Sequence, residues 1–222
     1  GHTYEGRTLI MANPVGQVHT ISEGPHRGRL IIGCPVCPVP SSEAISEDWR
    51  NHQHIGSGVM TSDDGGETWQ LGGMICDNLG NECTVVSARG GTRLYMIRRT
   101  RMRHPVESYY LLDHPLQRHA HVSDDAGRTW SEAMTIPVSR LVCHGTLRSV
   151  RGRWLFSIPL GGRRPPSEWG RHLDERYLGA VYISDDEGTT WRHKIVEPGS
   201  FSYSTIGSLT DDTCLVMYAS GT

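Results

Sequence analysis

The stretch Ser62-Asp63-Asp64-Gly65-Gly66-Glu67-Thr68-Trp69 decides the fold, because its pattern occurs three times. The second copy is 123–130 and the third is 184–191, so successive copies start 61 residues apart in both intervals. All three share Ser, Asp, Gly, Thr and Trp at the first, third, fifth, seventh and eighth positions. The shared Asp can accept backbone N–H bonds and the shared Gly can take a positive φ, as a tight turn requires. Each copy therefore predicts a hairpin turn whose Thr and Trp begin the next strand.

A second pattern, a strand hairpin, alternates with these turns. Its copies begin at Thr20, Thr84, Thr146 and Thr205, which lie 64, 62 and 59 residues apart. In each copy a strand-like run meets turn residues and then an apolar run, as in a tight hairpin. One unit is therefore a hairpin, a connecting strand, the octapeptide turn and a final strand. Four antiparallel strands in ~60 residues describe one blade of an all-β propeller.

The chain holds about four such blades, and we expect residues 1–222 to form a single incomplete β-propeller domain. Residues before Thr20 read as the closing strand of a preceding blade, and the last unit stops after its second strand. The stretches 38–56 and 161–175 read as loops over one face of the ring. Because a partial ring leaves strand edges unpaired, we expect the isolated chain to self-associate or to be marginally stable.

Composition excludes several classes of function. The 22 Lys and Arg residues against 24 Asp and Glu residues give a net charge of −2, so the chain lacks the basic excess of nucleic-acid-binding proteins. No apolar run approaches the ~20 residues of a membrane span. No signal sequence is visible; the compartment stays open, with secretion or the periplasm favoured, and so does the oligomeric state. We expect no cofactor.

Two cysteines raise the question of a zinc site. Cys34 and Cys37 have the spacing of half a zinc site, but no second pair of that spacing follows. The other interpretation of 34–40 is a Pro-rich exit from a strand. We expect no metal site.

Matching positions in the four hairpins predict a site on the propeller axis. The innermost strand of every blade lines one central funnel, so residues at the same register face one another. Two positions before the leading threonines stand Val18, Glu82, His144 and Tyr203. A carboxylate, an imidazole and a phenol would then meet at the mouth of the funnel. The alternative is a column of polar residues without a function.

Two segments give the chain a family resemblance. Asn81-Glu82-Cys83-Thr84-Val85-Val86, followed by Leu94-Tyr95-Met96-Ile97-Arg98, resembles the central segment of the exo-sialidases, or neuraminidases. Phe201-Ser202-Tyr203-Ser204 resembles their nucleophile segment, and Arg176 precedes the third octapeptide where that family has an arginine for the substrate. The octapeptide is the family's Asp-box, or BNR, repeat. The resemblance implies a six-bladed propeller that acts on sialylated glycans or a related acidic sugar.

The resemblance also implies roles for individual residues. Tyr203 would be the nucleophile and Glu82 its base, while Arg98 and Arg176 would hold the substrate carboxylate. The family pattern does not supply His144; its register makes it a candidate pocket lining, and the alternative is a polar core group. A carboxylate nucleophile would be repelled by a sugar with a carboxylate on its anomeric carbon, whereas a phenol is neutral. A phenol with a pKa near 10 needs a base to attack at neutral pH. Arginine suits the carboxylate because its planar fork donates two parallel hydrogen bonds.

Several alternatives stay open at this stage. Arg98 stands beside Arg99, Arg101 and Arg103, which together read as a solvated basic run. Arg163 and Arg164 compete with Arg176 for its role. The family's first triad arginine and its acid/base aspartate come from blades upstream of anything that resembles 1–20. The competing functions are a propeller that binds carbohydrate without turnover and a structural Asp-box protein engaged in protein contacts.

Overall fold

The computed structural model describes sixteen β-strands and no α-helix within residues 3–4, 7–12, 14–40, 55–77, 80–100, 118–139, 141, 143–161, 176–210 and 213–220. The strands form four antiparallel sheets that follow one another along the chain. This confirms the all-β prediction. None of the described residues form a helix with the length and apolar character needed to cross a bilayer.

The second and third sheets are complete four-stranded blades. Both follow the predicted unit of a hairpin, a connecting strand, a turn and a final strand. The second blade consists of β7 (Gly80–Ala88), β8 (Arg93–Thr100), β9 (Arg118–Ser123) and β10 (Met134–Ile136). The third consists of β11 (Thr146–Val150), β12 (Arg153–Pro159), β13 (Tyr177–Ser184) and β14 (Arg192–Ser200). The fourth sheet is the hairpin of β15 (Ser202–Ser208) and β16 (Cys214–Ala219).

The first sheet differs from the prediction at its N-terminal side. It contains β1 (Thr3–Tyr4), β2 (Arg7–Ala12), β3 (His19–Thr20), β4 (Leu30–Pro40), β5 (Gly56–Ser62) and β6 (Gln70–Ile75). The residues before Thr20 do not close a preceding blade, because β2 pairs with β4 of this same sheet. The proposed strand exit at 34–40 is also wrong: β4 continues to Pro40 because β2 supplies it with a partner strand. Most of the predicted loops, residues 41–54 and 162–175, lie outside the described residues.

The three octapeptides form equivalent turns between the third and fourth strands of their blades, as predicted, and we call them the Asp-box turns. In each, the first serine donates from Oγ to the aspartate, at 2.7, 2.7 and 2.8 Å for Asp64, Asp125 and Asp186. The threonine Oγ1 donates to the same three carboxylates at 2.5, 2.6 and 2.6 Å. The shared glycines have φ of +100°, +88° and +84°, which suits a residue without a Cβ.

Apolar side chains on both faces of the inner hairpins pack the blades together. In β8, Leu94 and Met96 face the first blade, while Tyr95 and Ile97 face the third. This is the period of two expected of a strand that is buried on both sides. The ring of Tyr95 lies 4.9 Å from that of Trp154 in the third blade.

Neighbouring blades also touch at their outer rim. Gly73 in β6 donates its N–H to the carbonyl of Gly127, in the Asp-box turn of the next blade, at 2.6 Å. A Cβ at Gly73 would lie only 2.4 Å from the carbonyl oxygen of Arg128. Trp130 of the same turn donates from Nε1 to the carbonyl of Gly73. The first two blades therefore approach closely at a position where a side chain would not fit.

Candidate functional site

The starts of the inner strands β7 and β15 bring Glu82 and Tyr203 together, although they lie 121 residues apart in the chain. The Tyr203 hydroxyl donates to Glu82 Oε1 at 3.1 Å. The distance is within the limit expected for a base that accepts the phenol proton. Tyr203 is 42% exposed, so the residue is partly accessible from solvent.

Arg99 is the third member of this cluster. Its Nη1 donates to Glu82 Oε2 at 2.5 Å and to the Tyr203 hydroxyl at 2.8 Å. The side chains of Arg99 and Glu82 are 16% and 12% exposed, so this ion pair is shielded from water more than a surface pair. A single guanidinium nitrogen therefore connects the phenol to the carboxylate. We call Glu82, Arg99 and Tyr203 the axial cluster.

The phenol of Tyr203 is protonated in this environment. Its pKa lies above the ordinary value of 10, mainly because burial disfavours the phenolate, and because the charge of Glu82 and the hydrogen bond to it also favour the neutral form. The positive charges of Arg99 and Arg176 act in the opposite direction. A nucleophilic role for Tyr203 therefore requires a base, and the Glu82 carboxylate is in hydrogen-bond contact with it.

Arg176 borders the axial cluster, immediately before β13. Its guanidinium carbon lies 5.2 Å from the centre of the Tyr203 ring. Its Nη1 donates to Ser202 Oγ at 2.9 Å, and its carbonyl accepts from the N–H of Phe201 at 2.7 Å. These contacts fix the arginine beside the strand that carries Tyr203. The competing residues Arg163 and Arg164 lie outside the described residues.

His144 lies beside the axial cluster, and its imidazole does not titrate near neutral pH. It is buried, and its ring lies 6.4 Å from that of Tyr203 at an interplanar angle of 24°. Burial lowers the pKa of His144 to about 4, assisted by Arg118 and Arg99 and opposed by Glu82. A Cβ on Gly16, which has φ of +83°, would lie 2.7 Å from His144 Nε2. The imidazole is therefore neutral and covered by the segment before β3.

Arg98, the predicted carboxylate ligand, does not join the axial cluster. It is 1% exposed and faces the first blade, where it donates two hydrogen bonds to Asp77, at 2.6 and 2.7 Å. It also donates from Nε to Ser57 Oγ at 2.9 Å. Arg99, on the opposite face of β8, occupies the place that sequence reasoning gave to Arg98. The two residues differ by one position, and successive side chains of a strand point to opposite faces.

A signal in the sequence could have separated the two arginines. Leu94 and Met96 share one face of β8 with Arg98, and Tyr95 and Ile97 share the other with Arg99. Counting the hairpin outward from its turn pairs Cys83 with Arg98. Glu82 points to the face opposite Cys83, so its partner on β8 has to be Arg99. The resemblance to the family rests on spacing along the sequence, which does not take into account how β7 and β8 pair.

The predicted register column is therefore only partly assembled. Glu82, His144 and Tyr203 meet, but Val18 instead lines a cavity of about 540 Å³ at the other end of the inner strands. That cavity is lined by polar groups that include Gln17, His19, Ser87 and Arg148. Burial, and secondarily the charge of Arg148, lower the pKa of His19 to about 4. The axial cluster and this cavity thus lie at opposite ends of the inner strands.

Successive antiparallel four-stranded blades, with an Asp-box turn between the third and fourth strands, are typical of a sialidase-type β-propeller. Residues 2–215 match the family described as BNR repeat-like domain, and the chain belongs to that family. It is 27% identical over 204 residues to the sialidase of Micromonospora viridifaciens, covering 90% of this chain and 27% of that protein. It therefore spans about a quarter of the length of that sialidase.

A solved structure and a second sequence are also similar to this chain. The leech intramolecular trans-sialidase complexed with 2,7-anhydro-Neu5Ac superposes with a TM-score of 0.56 and 20% identity, over 95% of this chain and 28% of that one. The vacuolar protein sorting/targeting protein 10 of Neosartorya fischeri is 30% identical over 89 residues, which are 40% of this chain and 6% of that protein. The first shows the shared fold, and the second shows that related sequence occurs in a sorting protein.

Proposed function

We propose that this chain carries part of the active site of a retaining exo-glycosidase that removes terminal sialic acid, or a related acidic sugar, from glycoconjugates. The observation that carries the proposal is the contact between the Tyr203 hydroxyl and Glu82 Oε1 at 3.1 Å, with Arg99 bonded to both. Phenol, carboxylate and guanidinium are the groups that an anionic sugar requires. The relationship to sialidases supports the choice of substrate class.

In the proposed reaction, Glu82 accepts the proton of the Tyr203 hydroxyl as the phenol oxygen attacks the anomeric carbon. The bond from that carbon to the leaving group breaks, and a covalent glycosyl-enzyme forms. Water then attacks the same carbon and gives one proton to the group that protonated the leaving group, while the bond to Tyr203 breaks and the proton held by Glu82 returns to the phenolate. Arg99 and Arg176 hold the sugar carboxylate, while His144 lines the pocket. We assign no residue of this chain to protonation of the leaving group.

The test is covalent labelling of the complete gene product with a 2,3-difluorinated sialic acid. In the wild type, fluoride leaves the anomeric carbon and the sugar becomes attached to Tyr203, which mass spectrometry of the protein and its peptides detects. Tyr203→Phe should give no adduct. Glu82→Gln should slow labelling by about 10²- to 10⁴-fold, because the attacking phenol loses its base.

Tyr218→Phe is the matched control. Tyr218 is 39% exposed, and its hydroxyl donates to a glutamate, Glu197, at 2.5 Å, so it is a second tyrosine–glutamate pair. Its labelling should equal that of the wild type. An adduct that persists in Tyr203→Phe, or that maps to another residue, would disprove the assignment.

A propeller that binds without turnover is the second candidate, favoured by the similarity to a sorting protein over 89 residues. It predicts that the wild type forms no adduct with the fluorinated sugar. Calorimetric titration with sialic acid then separates a carbohydrate-binding propeller, which gives heat of binding, from a propeller engaged in protein contacts, which gives none.

A further inference from the structure

A β-bulge shapes the strand that carries Glu82. Between β7 and β8, Gly80 pairs with Thr100 and Cys83 pairs with Arg98, so Asn81 and Glu82 together oppose the single residue Arg99. Bulges bend a strand and redirect a side chain, and they are common beside active sites. Here the extra residue turns Glu82 toward Arg99 and Tyr203. The extra residue also disturbs the regular ladder of hydrogen bonds, so its backbone groups need other partners.

Ser57, on β5 of the first blade, supplies such a partner from the face of the second blade that is opposite the axial cluster. Its side chain is fully buried, and its Oγ donates to the carbonyl oxygen of Asn81 at 2.7 Å. That carbonyl belongs to the peptide group that joins Asn81 to Glu82. The same Oγ accepts from Arg98 Nε at 2.9 Å. The serine hydroxyl is thereby oriented, because the guanidinium is a donor and leaves the serine proton for Asn81.

Arg98 is in turn held in place by Asp77 and by the absence of a side chain at Gly80. Asp77 accepts from both terminal nitrogens of the guanidinium, at 2.6 and 2.7 Å. A Cβ at Gly80 would lie 2.8 Å from Arg98 Nε, so glycine leaves room for the arginine under the bulge. A continuous series of hydrogen bonds therefore runs from Asp77 through Arg98 and Ser57 to the carbonyl of Asn81, in the peptide group that precedes Glu82.

We propose that Ser57, oriented by Arg98, is a positioning residue that holds the bulge of β7 so that the Glu82 carboxylate stays on the Tyr203 hydroxyl. This inference rests on the proposed function. Ser57 acts through Glu82, from the face of the sheet opposite the axial cluster. Its hydroxyl sets the position of the peptide group between Asn81 and Glu82. Small displacements of a base from the proton that it accepts reduce the reaction rate by large factors.

The test compares Ser57→Ala with Ser139→Ala in the complete gene product, each in the wild type and in a Glu82→Gln background. Ser139 is a matched control because it is 1% exposed and its Oγ donates to a backbone carbonyl, that of Pro159, at 2.8 Å. Two quantities are measured: kcat on an aryl sialoside, and the titration of the Tyr203 phenol by ultraviolet difference absorbance against Tyr203→Phe.

We expect Ser57→Ala to lower kcat by about 10- to 100-fold with KM little changed. The loss should vanish in the Glu82→Gln background, since a residue that acts through Glu82 has nothing left to position. The titration of Tyr203 should move to lower pH in Ser57→Ala, because the charge and hydrogen bond of Glu82 help to raise the pKa of the phenol. Ser139→Ala should change neither quantity.

The inference is overturned if Ser57→Ala and Ser139→Ala have equal kcat, or if Ser57→Ala loses the same factor in both backgrounds. A protein in which Glu82→Gln leaves kcat unchanged would refute the proposed function instead. If the wild type shows no turnover, the Tyr203 titration decides the point: a shift in Ser57→Ala alone supports the positioning role, and an unshifted titration disproves it.

Discussion

The Asp-box turns and the charged groups around Glu82 and Arg98 differ in the reach of their side-chain hydrogen bonds. In an Asp-box turn the aspartate binds residues of its own hairpin, such as Ser62 and Thr68 within four positions of Asp64. Between blades, Arg98 reaches Ser57 across 41 positions and Tyr203 reaches Glu82 across 121. The first contacts form one hairpin, and the second connect separate blades.

The difference explains why one region is visible as a repeat and the other is not. The aspartate of each turn binds the serine and threonine of its own turn, so the same residues are needed wherever the turn occurs and three copies of one pattern result. A contact between blades needs a different residue from each blade: a glutamate from one and a tyrosine from another. Positions that are the same in every copy therefore identify the turns that build the fold. Positions that differ between copies include the residues that contact one another between blades.

The largest effect expected is on the link between blades. Asp77→Ala leaves the Arg98 guanidinium buried without its carboxylate, so the free energy of unfolding should fall by about 3 kcal/mol or more. Asp63→Ala is the control, since it removes an arginine pair of similar geometry whose carboxylate is more exposed, 66% against 31% for Asp77, and exposed ion pairs contribute little. Urea unfolding of the complete gene product measures both. Equal effects would show that burial does not distinguish the two ion pairs.

A smaller effect is expected inside a single turn. Asp125→Ala removes an acceptor that binds Ser123 and Thr129, which should lower the free energy of unfolding by about 2 kcal/mol. Its neighbour Asp124 binds only Arg93 on the surface in the described contacts, so Asp124→Ala should have little effect. The same urea titration applies. A larger loss in Asp125→Ala than in Asp77→Ala would reverse the comparison between the two regions.

The smallest effect is the pH dependence near neutral pH that the buried His144 contributes beside the axial cluster. Burial lowers the pKa of His144 to about 4 from 6.5, so the unfolded chain binds a proton that the folded chain does not. Stability is therefore lost as pH falls from about 6.5 toward 4, by about 0.7 kcal/mol between pH 7 and pH 6. His144→Gln should lack this contribution.

The measurement is urea unfolding at several pH values, with the His144 ring signal followed by nuclear magnetic resonance. A signal that titrates near 6.5 would contradict the burial of a neutral ring. The Asp-box turns lose stability at more acidic pH, because hydrogen bonds from Thr190 and Ser184 hold the pKa of Asp186 at about 2, below its ordinary 3.8. Each region thus has its own window of acid sensitivity.

The parts of the molecule that depend on local patterns could be predicted from the sequence. The Asp-box turns and the four hairpins follow from residue spacing, and the meeting of Glu82 with Tyr203 follows from strand register. The choice between Arg98 and Arg99 depends on strand alternation, where an error of one residue reverses the face. The roles of Asp77 and Ser57 could not be predicted, because their partners lie on other strands and no short motif marks them.

The glycine at the outer rim has a consequence for the geometry of the whole assembly. The hydrogen bond from Gly73 to Gly127, with no room for a Cβ between the blades, sets how closely the outer edges of the first two blades approach. The inner strands of the same two blades are separated by side chains of the core. The distance between the blades at the outer rim and the distance at the inner strands together define a wedge. The angle of that wedge determines how many blades complete a circle. A single methyl group at this position would widen the wedge and move Ser57 and Asp77 of the first blade away from Asn81 and Arg98 of the second.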